Sequence, residues 1–172
     1  MKIHTSTSED LREIFRLYGL ATEYQKTIYP KNTWPSFERE LVETEIQEQR
    51  QFKMVVENQI ACVWAITFAD PQIWEERDKD PSIYIHRIAT NPDFRGRQYV
   101  KEIVEWARGY AESNQKRFIR LDTCGNNQKL IKHYTSCGFD FLEIVRLTNT
   151  DALPGHYQGA DVCLFEIKLN VG

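Results

Sequence analysis

The stretch IYIHRIATNPDFRGRQYVKEIVEWA, residues 83–107, decides the fold. It opens inside SIYIHRIAT (82–90), which is β-rich and nearly continuous in apolar character, the pattern of a central strand. NPDFRGRQ follows as a turn, and a helix is expected from Gln98 to Ser113, with Val100, Ile103, Val104, Ala107 and Ala111 on its buried stripe. A strand that runs through a glycine-containing turn into a helix makes an anion site. The first helical amides lack intrahelical acceptors, and the helix dipole adds partial positive charge. Arg95, Gly96 and Arg97 stand at that mouth. Gly96 permits torsions that let amides converge on an oxygen, and two guanidinium groups suit a pyrophosphate or a 3′-phosphate. Taken alone, R-G-R reads as solvated surface charge, so the flanking elements carry the weight.

Toward the N-terminus, MKIHTS (1–6) reads as a strand and Thr7, Ser8, Glu9 and Asp10 as a helix start, with Leu11, Ile14, Phe15, Leu17 and Tyr18 at helical spacing. Pro30 and Pro35 break that helix within YQKTIYPKNTWPS (24–36). Ser36 is placed as the cap of a second helix over 36–50, with Phe37, Leu41, Val42 and Ile46 on one face and a solvated acidic face opposite. FKMVVE (52–57) and IACVWAITF (60–68) flank Asn58-Gln59 as a hairpin, and ADPQIWEERDKDP (69–81) is a polar loop with room for one helical turn.

Toward the C-terminus, RFIRLDT (117–123) is a strand. NNQKLIKHYTSC (126–137) is a short helix with Leu130, Ile131, Tyr134 and Cys137 on one side, ended by Gly138. FDFLEIVRL (139–147) and ADVCLFEIKL (160–169) are the last strands, joined by TNTDALPGHYQG (148–159). The order β-α-α-β-β-β-α-β-α-β-β specifies a mixed α/β (α+β) fold with helices on the faces of one sheet, within a single domain over residues 1–172.

Composition bounds the function. A net charge of −3 gives no global field for nucleic acid or an acidic membrane. No apolar run reaches the ~18–20 residues of a membrane span, and MKIHTSTSED lacks a signal peptide's apolar stretch. Cys62, Cys124, Cys137 and Cys163 form no C-x-x-C pair, so reduced thiols, no metal site and a cytoplasmic location are expected. Neither G-x-x-x-x-G-K-[ST] nor G-x-G-x-x-G is present, which argues against other nucleotide-phosphate folds.

The central strand, Asn91-Pro92, R-G-x-x-x and amphipathic helix resemble the acyl-CoA-binding motif of GNAT N-acetyltransferases, Arg/Gln-x-x-Gly-x-Gly/Ala. It maps onto Arg95-Gly96-Arg97-Gln98-Tyr99-Val100, with Gln98 at the usual glycine and Val100 at the usual Gly or Ala. Asn127, Tyr134 and Gly138-Phe139 match a second family pattern in order and spacing, and the element order resembles the GNAT fold over almost the whole chain. The resemblance implies a central mixed sheet of six to seven strands flanked by about four helices, acetyl-CoA as co-substrate, and acyl transfer to a primary amine on a small molecule or peptide.

By that resemblance, Ile88, Ala89 and Thr90 hold the pantetheine, and the Ile88 amide also serves the oxyanion. Residues 95–100 hold the phosphates, and Asn127 makes a polar contact to the cofactor. Tyr134 is the expected general acid, with a core tyrosine as the alternative. His86 is the candidate base, set against an inert strand histidine. On the acceptor side stand Tyr84, Trp34 and Phe37, with core packing as an alternative for the last two, and His156 and Tyr157, set against an ordinary turn. A homodimer paired through the last strands follows from family habit. A non-catalytic acyl-CoA-binding sensor or interaction module, to which the changes at Gln98 and Val100 leave room, is the reading from a different class.

Overall fold

The computed structural model describes residues 1–28, 30–148 and 150–170. Tyr29, in the expected helix break, and Asn149, in the last loop, lie outside the described residues. Among the described residues, seven strands and five helices follow one another: β1 (Lys2–Thr5), α1 (Leu11–Ile28), α2 (Arg39–Gln47), β2 (Gln51–Val56), β3 (Gln59–Thr67), α3 (Pro71–Trp74), β4 (Ser82–Thr90), α4 (Tyr99–Ser113), β5 (Phe118–Cys124), α5 (Gln128–Ser136), β6 (Asp140–Arg146) and β7 (Asp161–Lys168). The strands form a seven-stranded sheet in the order β1-β2-β3-β4-β5-β7-β6. The chain divides into two compact units, residues 1–66 with 86–98, and residues 67–85 with 99 onward.

In the first unit, the Thr7 amide donates to Asp10 Oδ2 at 2.7 Å, and a single 3-10 turn over Ser8–Asp10 leads into α1. Asp10 is fixed in turn by Lys53 Nζ of β2 at 2.6 Å. α1 runs five residues into the stretch where the break was expected and stops just short of Pro30. The β2–β3 hairpin pairs Val56 with Gln59, so its two turn residues are Glu57 and Asn58, one position earlier than expected. Both adopt left-handed torsions (φ 50 and 61), as a two-residue hairpin turn requires. The core joins Leu11, Ile14, Leu17 and Tyr18 of α1 to Val42 of α2, Val63 of β3 and Ala89 of β4.

The second helix departs from expectation. It begins at Arg39 behind Glu38, and Ser36 does not cap it. Leu41, assigned to its inner face, is 39% exposed, while Glu45, assigned to the solvated acidic face, is 2% exposed. Apolar spacing alone set the expected face, and a partly buried cation on β4, described below, pairs with Glu45 and turns it.

In the second unit, β4 and β5 pair in parallel from Ser82↔Phe118 to Tyr84↔Arg120, with α4 as the connection. β5–β7 and β7–β6 are antiparallel, which places β6 at the sheet edge. α4 buries Ile103, Val104, Ala107 and Ala111, four of the five stripe residues expected, and Val100 is only partly covered. Ile73, Trp74, Tyr84, Leu147, Val162 and Leu164 form one core cluster. Arg120, 1% exposed, is reconciled with that interior by Glu166 (2.7 Å), Asp80 (2.9 Å), the Arg77 carbonyl and the Tyr84 hydroxyl. Among the described residues no helix is long and apolar enough to cross a membrane.

Candidate active site

The 95–98 turn belongs to the first unit. Asn91 anchors its entrance: its amide donates to the Ala61 carbonyl (2.8 Å), its Nδ2 to the Ile60 carbonyl (3.1 Å), and its Oδ1 caps Asp93 (3.2 Å). Gly96 then adopts φ 79 and Gln98 φ 58. A Cβ at Gly96 would meet no atom within 4 Å, so glycine serves its torsion there and not a close packing contact. Gln98 occupies the position where the motif usually has glycine, and it takes a left-handed torsion with a side chain in place.

Arg95 and Arg97 are exposed and, among the described residues, neither forms a salt bridge. The Arg95 guanidinium lies over the Tyr24 ring (4.4 Å) and that of Arg97 over Phe94 (5.2 Å). The rings orient both cations without neutralising them, which leaves their charge for an anion. Tyr99 and Val100 open α4, both partly buried.

Upstream on β4, Ala89 is buried in the core and Ile88 and Thr90 are partly covered; Thr90 Oγ1 lies 3.4 Å from Cys62 Sγ. Strict alternation would put His86 and Ile88 on one face of the strand. Arg87 between them sits at φ 53, so alternation does not run straight through this part of the strand. Burial, with Arg87 and Arg50 nearby, pushes the His86 imidazole down to about 3. It is neutral at pH 7, but taking a proton from an ammonium of pKa ~10.4 would cost it roughly 10 kcal/mol. That weakness favours a hydrogen-bonding role over a base.

Trp34 packs edge-on to Tyr18 (6.1 Å) and Phe37 (5.7 Å), and its amide donates to Gln25 Oε1 (2.8 Å). The aromatic pair expected on the acceptor side is thus tied into the α1–α2 core.

In the second unit, Asn127 caps α5, its Oδ1 accepting from the Lys129 (3.0 Å) and Leu130 (3.3 Å) amides. Its Nδ2 is buried and has no hydrogen-bond partner among the described residues. Such an orphaned donor is costly unless something accepts from it, and it fits the cofactor contact assigned to Asn127. Tyr134, partly buried on α5, packs on Phe165 (5.3 Å) and Phe139 (6.1 Å). Burial, with Cys137 and Asp122, pushes its phenol up to about 12. Gly138, at φ 102, ends the helix as expected.

Tyr84 is fully buried, its ring on Trp74 (5.7 Å) and its hydroxyl 3.4 Å from Arg120 Nη1. This packing supports a core role in place of the substrate contact expected. His156 and Tyr157 lie in a 3-10 turn (Gly155–Tyr157) with their rings 4.2 Å apart. The Tyr157 hydroxyl donates to Asp122 Oδ2 at 2.8 Å. Sequence reasoning missed Asp122, whose signal was an acid inside the central strand β5. Burial pushes its carboxyl up to about 6, held back by the Tyr157 hydrogen bond. Asp70 is pushed to about 8, first by burial and then by Asp122 and Asp78.

The sequence pattern of the Acetyltransferase (GNAT) family matches residues 10–139, three quarters of the chain. The chain belongs to the GNAT acetyltransferase family. GNAT proteins are acyl-CoA-dependent acetyltransferases with acetyl-CoA as co-substrate. An uncharacterized N-acetyltransferase of Bacillus subtilis, YesJ, is 29% identical over 73 residues, 42% of this chain and 41% of that protein. The match therefore spans about two fifths of that relative's length. Among solved structures, a GNAT-family acetyltransferase from Listeria monocytogenes superimposes with a TM-score of 0.76 at 21% identity, covering 98% of this chain and 94% of the other. A Salmonella typhimurium GNAT-fold structure solved with its cofactor acetyl-CoA gives a TM-score of 0.69 at 9% identity, covering 100% and 95%. At these identities the likeness is one of fold, and it bears out the GNAT-like mixed sheet expected from element order.

Proposed function

We propose that this chain, as one acyltransferase domain, transfers the acetyl group of acetyl-CoA to a primary amine. The observation that supports this reading is the left-handed torsion of Gln98 (φ 58), at the position where the motif usually has glycine. Acetyl-CoA supplies an acyl thioester open to amine attack, with a thiol as leaving group. Arg95 and Arg97 contribute charge for its phosphates, the backbone of Ile88 and Thr90 donors and acceptors for its pantetheine arm, and Asn127 Nδ2 a buried hydrogen bond.

Tyr134 serves as the acid. With its pKa near 12 it holds its proton at neutral pH. Handing that proton to a free thiolate of pKa ~8.5 would be uphill by roughly 5 kcal/mol, so Tyr134 releases it only as charge develops on a sulfur equally deprived of water. On the acceptor side, the Asp122 carboxyl, aligned by Tyr157, gives the arriving ammonium a partner. The amine releases one proton to water before its lone pair attacks the thioester carbon. As the C–N bond forms and the C–S bond breaks, the thiolate takes the Tyr134 proton, and the nitrogen's second proton returns through water to the phenolate. All four cysteines are free thiols, in accord with a cytoplasmic protein, and the exposed edge strand β6 is the element through which a homodimer would pair.

The test is calorimetric titration with acetyl-CoA, followed by a panel of primary amines with thiol detection. Micromolar binding that weakens at least tenfold in Arg97→Ala, and turnover that falls in Tyr134→Phe while binding holds, are the results expected. Binding without turnover on any amine would favour the sensor reading, and no binding at millimolar acetyl-CoA would overturn both.

A further inference from the structure

Arg87 is a strained residue in the middle of a strand, at φ 53. A non-glycine residue pays about 1–2 kcal/mol for that torsion, so something must hold it there. Its side chain is held from several directions. Nη2 is paired with Glu45 of α2, and Nε lies 3.4 Å from the Tyr18 hydroxyl of α1. The guanidinium also sits over the Phe37 ring at 5.2 Å and the Tyr18 ring at 5.9 Å. Tyr18 is fixed in turn by donating to Gln51 Oε1 of β2 at 3.2 Å. Burial opposes the guanidinium's charge, but Tyr18 and Glu45 more than offset it and raise its pKa above the ordinary value.

This network is not built for stability. Buried ion pairs are often no better than apolar replacements of the same volume. Here two further polar atoms, Glu45 Oε2 and Gln51 Nε2, are buried without partners among the described residues. What the network delivers is a backbone geometry. The torsions of Arg87 rotate the peptide that joins it to Ile88, and so aim the Ile88 N–H.

We infer that Arg87 is a positioning residue for the Ile88 amide, with Glu45, Tyr18 and Phe37 clamping its side chain so that α1 and α2 set the direction of that donor. The inference rests on the proposed function, in which the Ile88 amide meets the acyl group of acetyl-CoA. It makes the α1–α2 aromatic cluster a support for the cofactor side of the site.

The test follows the Ile88 amide by ¹⁵N–¹H NMR during titration with acetyl-CoA, in the wild type and in Arg87→Ala, Arg87→Gly and Glu45→Gln. In the wild type the Ile88 resonance should move on binding. In Arg87→Ala and Glu45→Gln that movement should fall at least threefold, while calorimetric affinity stays within about threefold because the 95–98 turn is untouched. Arg87→Gly, which adopts the left-handed torsion without a clamp, should recover part of the response. Equal movement in the wild type, Arg87→Ala and Glu45→Gln would overturn the inference and leave the functional reading intact. A wild-type Ile88 amide that ignores bound acetyl-CoA would overturn the functional reading itself. If Arg87→Ala does not fold, Glu45→Gln carries the comparison.

Discussion

The carboxylate of Glu45, 2% exposed on α2, pairs with the guanidinium of Arg87, which sits at a left-handed torsion within β4. Helix and strand are joined by charge at a depth where either partner alone would be stranded. Removing one partner of a buried pair typically costs about 3–5 kcal/mol, because the other is left uncompensated. Glu45→Ala and Arg87→Ala should each lower unfolding stability by that order. The double variant should lose clearly less than the sum of the two. Denaturant titration of the full cycle checks this, and strict additivity would deny the coupling.

Gln98 offers a stabilising substitution. Its torsion, φ 58, suits glycine better than a residue with a Cβ. Gln98→Gly should raise stability by about 0.5–1 kcal/mol and tighten acetyl-CoA binding a few-fold, whereas Gln98→Val should do the opposite. Thermal melts and calorimetry on the three proteins decide it.

His86 should make the protein acid-sensitive. Its folded pKa, about 3, lies below the ordinary 6.5, so below pH 6.5 the unfolded chain binds a proton that the folded one refuses. The contribution of neutral His86 is therefore complete above pH 6.5 and is lost as pH falls toward 3. The slope approaches about 1.4 kcal/mol per pH unit. His86→Gln should flatten stability between pH 6 and pH 4, as read by denaturation at fixed pH values in that window.

Asp122 and Tyr157 report on each other. The tyrosine hydroxyl holds the aspartate below the value that burial alone would give it, about 6 being the balance. Tyr157→Phe should move the Asp122 titration to higher pH, which carboxyl ¹³C NMR would read directly. Any dependence of turnover on that carboxylate should move with it. An unchanged midpoint would mean that the 2.8 Å hydrogen bond does not persist in solution.

Local features were legible in the chain itself. Continuous apolar, β-branched character gave strand β4 its ends, Ser82 and Thr90, and the 3.6-residue stripe gave α4 to within one residue at its start. Gly138 at the helix end and the turn over 91–98 follow from chemistry spanning a few residues. These signals are short-range, so the sequence could carry them, and through them the element order and the family.

Only the tertiary structure decided which polar side chains go inside. Glu45 reads as one acid among many on a solvated face until Arg87 meets it from another element. Arg120 and Asp122 look alike as charges in a strand, yet Glu166 and Asp80 pair with one and Tyr157 with the other. The torsions of Arg87 and Gln98, neither of them glycine, are set by surroundings and not by residue type. Burying a charge is tolerable only where a partner arrives from elsewhere in the chain, and that arrival is a property of the fold.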